Sequence, residues 1–340
     1  MNAALRVAAA GPGVTLQDAG RRGLMRFGVT PAGPMDAAAF AAANLAAGAP
    51  PEACAIEVSL GGLELAAEGA PVGLAVAGGA FRVVLDGRDL PRACVFALAP
   101  GARLTIRAGA QGAFAYVGVA GRIDLPPVLG SLATHTRSGL GGLEGRGLRA
   151  GDLLPLAELR PAPAAPMRVE APWLDRDAGP IRVLLGPQDD CFSREAVELF
   201  LSAPWRVSAR SDRMAYRLDG PRLEHARGHD IVSDGVAAGA IQVPGDGAPL
   251  VLMADRQPTG GYPKIAAVVS ADLPRLAQLR PSETLSFVRV SFEGAVAARR
   301  VLADAIASGV RVAPLGQDTL ADALLSENLI GGAVSARGDF

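Results

Sequence analysis

Lys264 is the sole lysine among 33 Lys and Arg residues. Drift toward arginine explains the other 32 and leaves two readings of the survivor. Either one lysine escaped, or the position needs a compact ammonium with three freely rotating donors, which a planar guanidinium cannot replace. Lys264 closes a run dense in functional groups, Asp255-Arg256-Gln257-Pro258-Thr259-Gly260-Gly261-Tyr262-Pro263-Lys264. Upstream stand Ser211-Asp212-Arg213, Ser233-Asp234-Gly235 and Gln242-Val243-Pro244. Short apolar strands would deliver these groups to strand ends, where loops on a rigid scaffold commonly build sites. Lys264, Asp255 and Asp234 are the candidate catalytic groups of this cluster, and Gln242, Tyr262, Arg213 and Thr259 the candidate substrate contacts. A second constellation, Gln17-Asp18-x-Gly20-Arg21-x-Gly23, is followed by Gly33-Pro34-Met35-Asp36 and Asn44. It sets acids, amides and an arginine among glycines that let a backbone approach a ligand. Gln17, Asp18, Arg21 and Asp36 are its candidate binding groups; the alternative is an Asp–Arg pair pinning an irregular loop.

Several chemistries are missing from the sequence. It holds no G-x-x-x-x-G-K-[ST], no H-E-x-x-H and no G-x-S-x-G. His225 and His229 stand four apart in HARGH, but Gly228 argues against the helix that would align them on a metal, and a solvated loop is the better reading. The cluster GLGGLEGRG (139–147) reads equally as an anion-binding nest or as tight turns. Three cysteines far apart, with no C-x-x-C, fit a reducing compartment better than a disulfide framework. The net charge of −1 without long single-sign runs points away from nucleic acid and membrane surfaces. The apolar run before Gly11-Pro12 is too short for a secretory signal, and the Ala-rich stretch 35–49 is broken by Asp36 and Asn44. A soluble cytoplasmic protein is the expectation.

The elements that must position these groups are mostly strands. Forty-two glycines and 26 prolines imply many turns. Apolar runs at 72–77 and 81–85 precede Asp86-Gly87, a hairpin signal. Strands are expected at 103–108 and 114–121, joined by a Gly-bearing turn, then at 181–186, 231–236, 238–243, 249–254 and 284–292. Helices are expected at 35–47, with Asp36 at its positive end, and at 193–202, 294–307 and 318–326. Five prolines between 157 and 180 read as a linker. LRAGDLL (148–154) and LRPSETL (279–285) share Leu-Arg, an acid and a final Leu at equal spacing, which suggests a divergent duplication.

The motifs QDAGRRG (17–23), GPMD (33–36), GSLAT (130–134), GGLEGRGL (141–148), GPQDDCF (186–192), SDRMAYRL (211–218), SDGVAAGAIQVPGDGAPLVLMADRQPTGGYPKIA (233–266) and LAQLRP (276–281) occur in order. Together they resemble the allophanate hydrolase subunit 2 family, also called biotin-dependent carboxyltransferase-like, over roughly residues 5–295. The resemblance implies a mainly β fold of two cyclophilin-like β-barrel domains with a few short helices. The expected boundaries are 1–160 for the first barrel, 161–180 for the linker, 181–310 for the second barrel, and 311–340 for a C-terminal helix and tail. It also implies three roles. Stand-alone bacterial members resemble one component of an ATP-dependent 5-oxoprolinase that converts 5-oxoproline to glutamate together with its A and B subunits. Fused members form the carboxyltransferase part of urea carboxylase, and a third group, named for antagonising an inhibitor of a sporulation kinase, implies a non-catalytic regulatory binding role. For the first role the expected chemistry is phosphorylation of the lactam amide oxygen, with ATP and Mg²⁺ shared with the B subunit. Asp255 or Asp234 would hold Mg²⁺, Lys264 or Arg213 would meet phosphate, and Gln242 or Tyr262 would orient the substrate. Biotin enters only under the second role, in trans, because no Met-Lys-Met attachment sequence is present. Pro258, where the family often has Thr, and Ala215, where it often has Gly, depart from the pattern.

Overall fold

The computed structural model describes residues 3–175 and 179–315 of the 340. The expected helix 318–326 lies outside the described residues. The chain is mainly β, in two large sheets. The first has twelve strands and curls into a nearly closed barrel; its principal path runs from Arg311–Pro314 at one edge to Arg122–Ile123 at the other. Its interior is aliphatic and contiguous, with Leu5, Val7, Leu16, Ile56, Leu65, Leu74, Phe96 and Leu104 all buried. The second sheet has eight strands, and its two edge strands, Thr284–Leu285 and Phe287–Arg289, are separated by Ser286 alone, so the sheet comes round to meet itself.

The helix α1 (Ala37–Ala46) sits where the two sheets approach each other, and it shares a core with the second. Asp36 caps it, accepting from Ala38 N at 3.1 Å and Ala39 N at 2.9 Å. Residues 38–44 are all buried, so α1 has no wet face, and its alanines let neighbouring backbone come close. The helices α2 (Arg194–Ser202), α3 (Leu273–Ala277) and α4 (Phe292–Ala307) belong to the second half.

Four expectations need correction. Residues 103–121 do not turn at their glycines: Arg103–Val119 is one long strand paired with another, Val72–Leu85, through register shifts. Gly109 and Gly112 instead admit the facing backbone, since a Cβ at Gly109 would lie 1.8 Å from Ala80 O. The run 284–292 is two short strands, because its two halves serve opposite edges of the sheet: Thr284–Leu285 pairs antiparallel with Trp205–Val207, and Phe287–Arg289 pairs parallel with Ile181–Leu185. The expected strand 231–236 is reduced to Asp234–Gly235, in a separate two-stranded ribbon with Thr259–Gly260. Within the expected linker, Met167–Glu170 pairs with Cys94–Leu98 and, on its other side, with Arg311–Pro314. The chain thus leaves the first sheet, builds the second, and returns.

The suspected duplication has a geometric counterpart. Asp152 accepts from Arg149 N at 2.9 Å, as Glu283 does from Arg280 N at 2.9 Å. The preceding residue has positive φ in both turns, Gly151 at 93° and Ser282 at 74°, and each donates its N–H at 2.8 Å to a valine carbonyl, Val7 or Val207.

Candidate functional site

Two groups of polar side chains emerge. The first is buried between the halves and centred on Arg213. Its Nε and Nη2 each donate at 2.9 Å to Asp255, Nη1 donates to Glu57, and Nη2 donates at 2.7 Å to Gly33 O. Glu57 also accepts from Met35 N and Tyr116 Oη, both at 2.8 Å, and Tyr116 Oη accepts from Asp36 N at 2.8 Å. Gln278 donates to Asp36 Oδ2 at 2.7 Å and accepts from Ala113 N at 2.8 Å and Phe114 N at 3.1 Å. Gly33 N donates at 3.2 Å to Gln17 Oε1, which brings Gln17 into the same chain of bonds.

Burial raises the Glu57 carboxyl above its ordinary range, although Arg213, Met35 N–H and Tyr116 pull it down. Burial works against the Arg213 charge as well, but Glu57 and Asp255 outweigh it and the guanidinium is held protonated. Tyr116 is pushed well above the phenol range, by burial first and then by the Glu57 charge. This group is a strut. Both Asp255 oxygens are taken by a forked guanidinium, which leaves that carboxylate unsuited to a metal or to proton transfer. Beside the strut an 880 Å³ cleft opens between the halves, lined in part by Asp36, Gly79, Gly112, Gln278 and Glu283.

The second group lies on the second sheet and its ribbon. Gln242 and Lys264 are cross-strand partners, and Asp234 pairs in register with Gly260. Lys264 is 3% exposed and Gln242 1%, whereas Asp234 and Tyr262 face solvent. The Lys264 ammonium lies 3.2 Å from Asp234 Oδ2, an ion-pair distance whose angles fall outside those of a hydrogen bond. Asp234 is held below the usual carboxylate range, chiefly by that close contact with Lys264 and then by Gly235 N–H. Thr259 contributes only its place in the ribbon, opposite Gly235.

Asp18 and Arg21 join neither group. Asp18 accepts from Gly20 N, Ser131 Oγ and Leu132 N at 2.9, 2.5 and 2.6 Å. Arg21, 1% exposed, donates to Val128 O and Ser131 O at 3.0 and 3.2 Å, and burial lowers its pKa. Both brace the loop at 128–134, each by its own bonds rather than as an Asp–Arg pair. In the glycine cluster 139–147 a Cβ at Gly141 or Gly142 would fall 2.1 Å from Ala133 O or Thr134 Oγ1, so these glycines serve close loop packing. His225 gives Nε2 to a 2.9 Å contact with Val243 O, and among the described residues no three His, Cys, Asp or Glu converge on a metal position. Asp255 is occupied by Arg213 and Asp234 faces Lys264, and neither sits in a metal-ligating cluster among the described residues.

Glu57, Tyr116 and Gln278 complete the strut and were not singled out by sequence. An acid inside AIEVSL reads as the wet face of an alternating strand, yet Ala55–Val58 is buried on both faces.

Two barrel-like sheets tied by a buried inter-half ion network, with a lysine-bearing strand and ribbon on the second, define the class. Residues 27–289 match the family described as carboxyltransferase domain, subdomain A and B, and the chain belongs to that family. The C subunit of 5-oxoprolinase from Escherichia coli is 38% identical over 297 residues, covering 87% of this chain and 94% of that protein. The Haemophilus influenzae protein of the same name is 37% identical, over 84% of this chain and 91% of its own length. Among solved structures, K. lactis urea amidolyase superimposes with a TM-score of 0.82 at 30% identity, over 89% of this chain but 20% of that much longer one.

Proposed function

We propose that this chain is the C-type subunit of a 5-oxoprolinase and acts with the A and B subunits to open 5-oxoproline to glutamate at the expense of ATP. The observation that carries the reading is the likeness to the E. coli 5-oxoprolinase component over 94% of that protein's length. Ring opening hydrolyses one amide bond: water adds to the lactam carbon and the ring nitrogen leaves as the amine. A neutral amide is a poor electrophile. With its oxygen phosphorylated by ATP, water adds to the ring carbon, the ring nitrogen leaves as the amine to give an acyl phosphate, and a second water releases glutamate and phosphate. Catalysis of this kind rests on positioning and charge stabilisation. Asp255 is locked to Arg213, so the ATP–Mg²⁺ handling is assigned to the B subunit. What this chain offers is Lys264 and Gln242, paired across two neighbouring strands of the second sheet.

A carboxyltransferase role with a biotinylated partner in trans is the second reading, favoured by the fit to urea amidolyase. Lys264, 3% exposed and outside any Met-Lys-Met sequence, is unsuited to carry biotin itself. Substrate choice separates the two. Mixed with the A and B subunits, the chain should turn over 5-oxoproline and leave urea untouched. Urea carboxylation from carboxybiotin, without glutamate release, would replace the first reading by the second.

A further inference from the structure

Lys264 combines deep burial with unused bonding capacity. Its Nζ makes no hydrogen bond among the described residues, although an ammonium carries three donors. A buried charge left without hydrogen bonds is costly, so positions that retain one commonly serve a partner not always in place. Its present counter-ion, Asp234, is 56% exposed and sits on the short ribbon outside both sheets. Beside it, the Gln242 amide is equally underused: among the described residues Nε2 reaches Tyr262 O only at 3.5 Å, and no hydrogen bond reaches Oε1. Gly260 permits this arrangement, since a Cβ there would lie 2.3 Å from Gln242 Nε2. Gln188 accepts from Lys264 N at 3.2 Å and fixes the strand that carries the lysine.

We infer that Lys264 and Gln242 form a recognition pair for a small molecule bearing a carboxylate beside an amide, and that Asp234 stands in for that carboxylate until the molecule arrives. The inference rests on the oxoprolinase reading and names which group of 5-oxoproline goes where. The substrate carboxylate takes the Lys264 ammonium, and the lactam meets the Gln242 amide, which can both donate and accept. Asp234 is the group free to leave, being already half in water, whereas the buried Lys264 cannot follow it. The ribbon Asp234–Gly235 with Thr259–Gly260 is the element that swings aside.

The single lysine makes a direct test possible. The full chain, grown on lysine labelled with ¹³C at Cε, gives one lysine side-chain signal and can be assembled with unlabelled A and B subunits without ATP. Titration with 5-oxoproline should shift that signal saturably, at least about tenfold more tightly than acetate, which lacks the amide. 2-Pyrrolidinone, which lacks the carboxylate, should leave it in place. Asp234→Asn, at an exposed position, should tighten 5-oxoproline by about threefold or more, and Gln242→Ala should weaken it by about tenfold. A signal unmoved by 5-oxoproline, or Asp234→Asn weakening rather than tightening, overturns the inference. So does inorganic phosphate shifting the signal more strongly than 5-oxoproline. A complex that releases glutamate while the signal stays fixed retires this site and leaves the function standing. Saturable binding with no glutamate release under ATP supports the site and overturns the oxoprolinase reading.

Discussion

Arg213 is the residue on which both halves converge, and its partners set its energetics. Removing it leaves Glu57 and Asp255 buried without a counter-charge, so Arg213→Met should cost about 3–5 kcal/mol in urea unfolding. The double change with Glu57→Gln should recover part of that loss, because the two residues touch and their effects do not add. Asp272 gives a pH signature. Burial works to raise its carboxyl, but bonds from Arg182 Nε at 3.0 Å and Nη2 at 2.6 Å outweigh it, and the net shift is downward. A depressed folded pKa gives stability that is present above the unfolded value, about 3.9, and is lost as pH falls through the folded one. Asp272→Asn should therefore lower stability at pH 7 and flatten its decline in acid. Glu57, shifted upward, works in the opposite sense: its contribution is present at low pH and is lost as pH rises through its folded value. At this scale Lys264 was legible as the lone lysine. The Arg213–Asp255 fork was not, because its members lie on segments 42 residues apart that only the sheet brings together.

At the scale of elements, period and turn signals located α1, α2, the Asp86-Gly87 hairpin and most short strands. They failed where glycine served close approach rather than a turn. Gly109 and Gly112 sit inside one long strand because facing backbone leaves no room for a side chain, a constraint that no local pattern announces. Gly118 makes the same point against α1: a Cβ there would lie 2.4 Å from Ala43 O. Backbone cannot yield as a side-chain tip can, so Gly118→Ala should destabilise by about 1–3 kcal/mol. Thermal unfolding of that variant should show a lowered midpoint, whereas Gly87→Ala, with open space around it, should lose stability only through its φ of 82°.

For the whole molecule, the return of Arg311–Pro314 to Met167–Glu170 binds the end of the described chain to the first sheet. Such a closure joins segments at least 141 residues apart, which no local pattern announces. It follows that a fragment of residues 1–160 lacks two strands of its own sheet, and expressed alone it should aggregate or give a poorly dispersed amide spectrum. The motif order, by contrast, carried the family. The functional reading stands on that family and on the proposal that this chain acts beside two partner subunits. Its most direct test is an omission series measuring ATP-dependent release of glutamate from 5-oxoproline. The account predicts turnover when the A and B subunits and this chain are together, and none when this chain is left out. Equal glutamate release from the A and B subunits alone would contradict it.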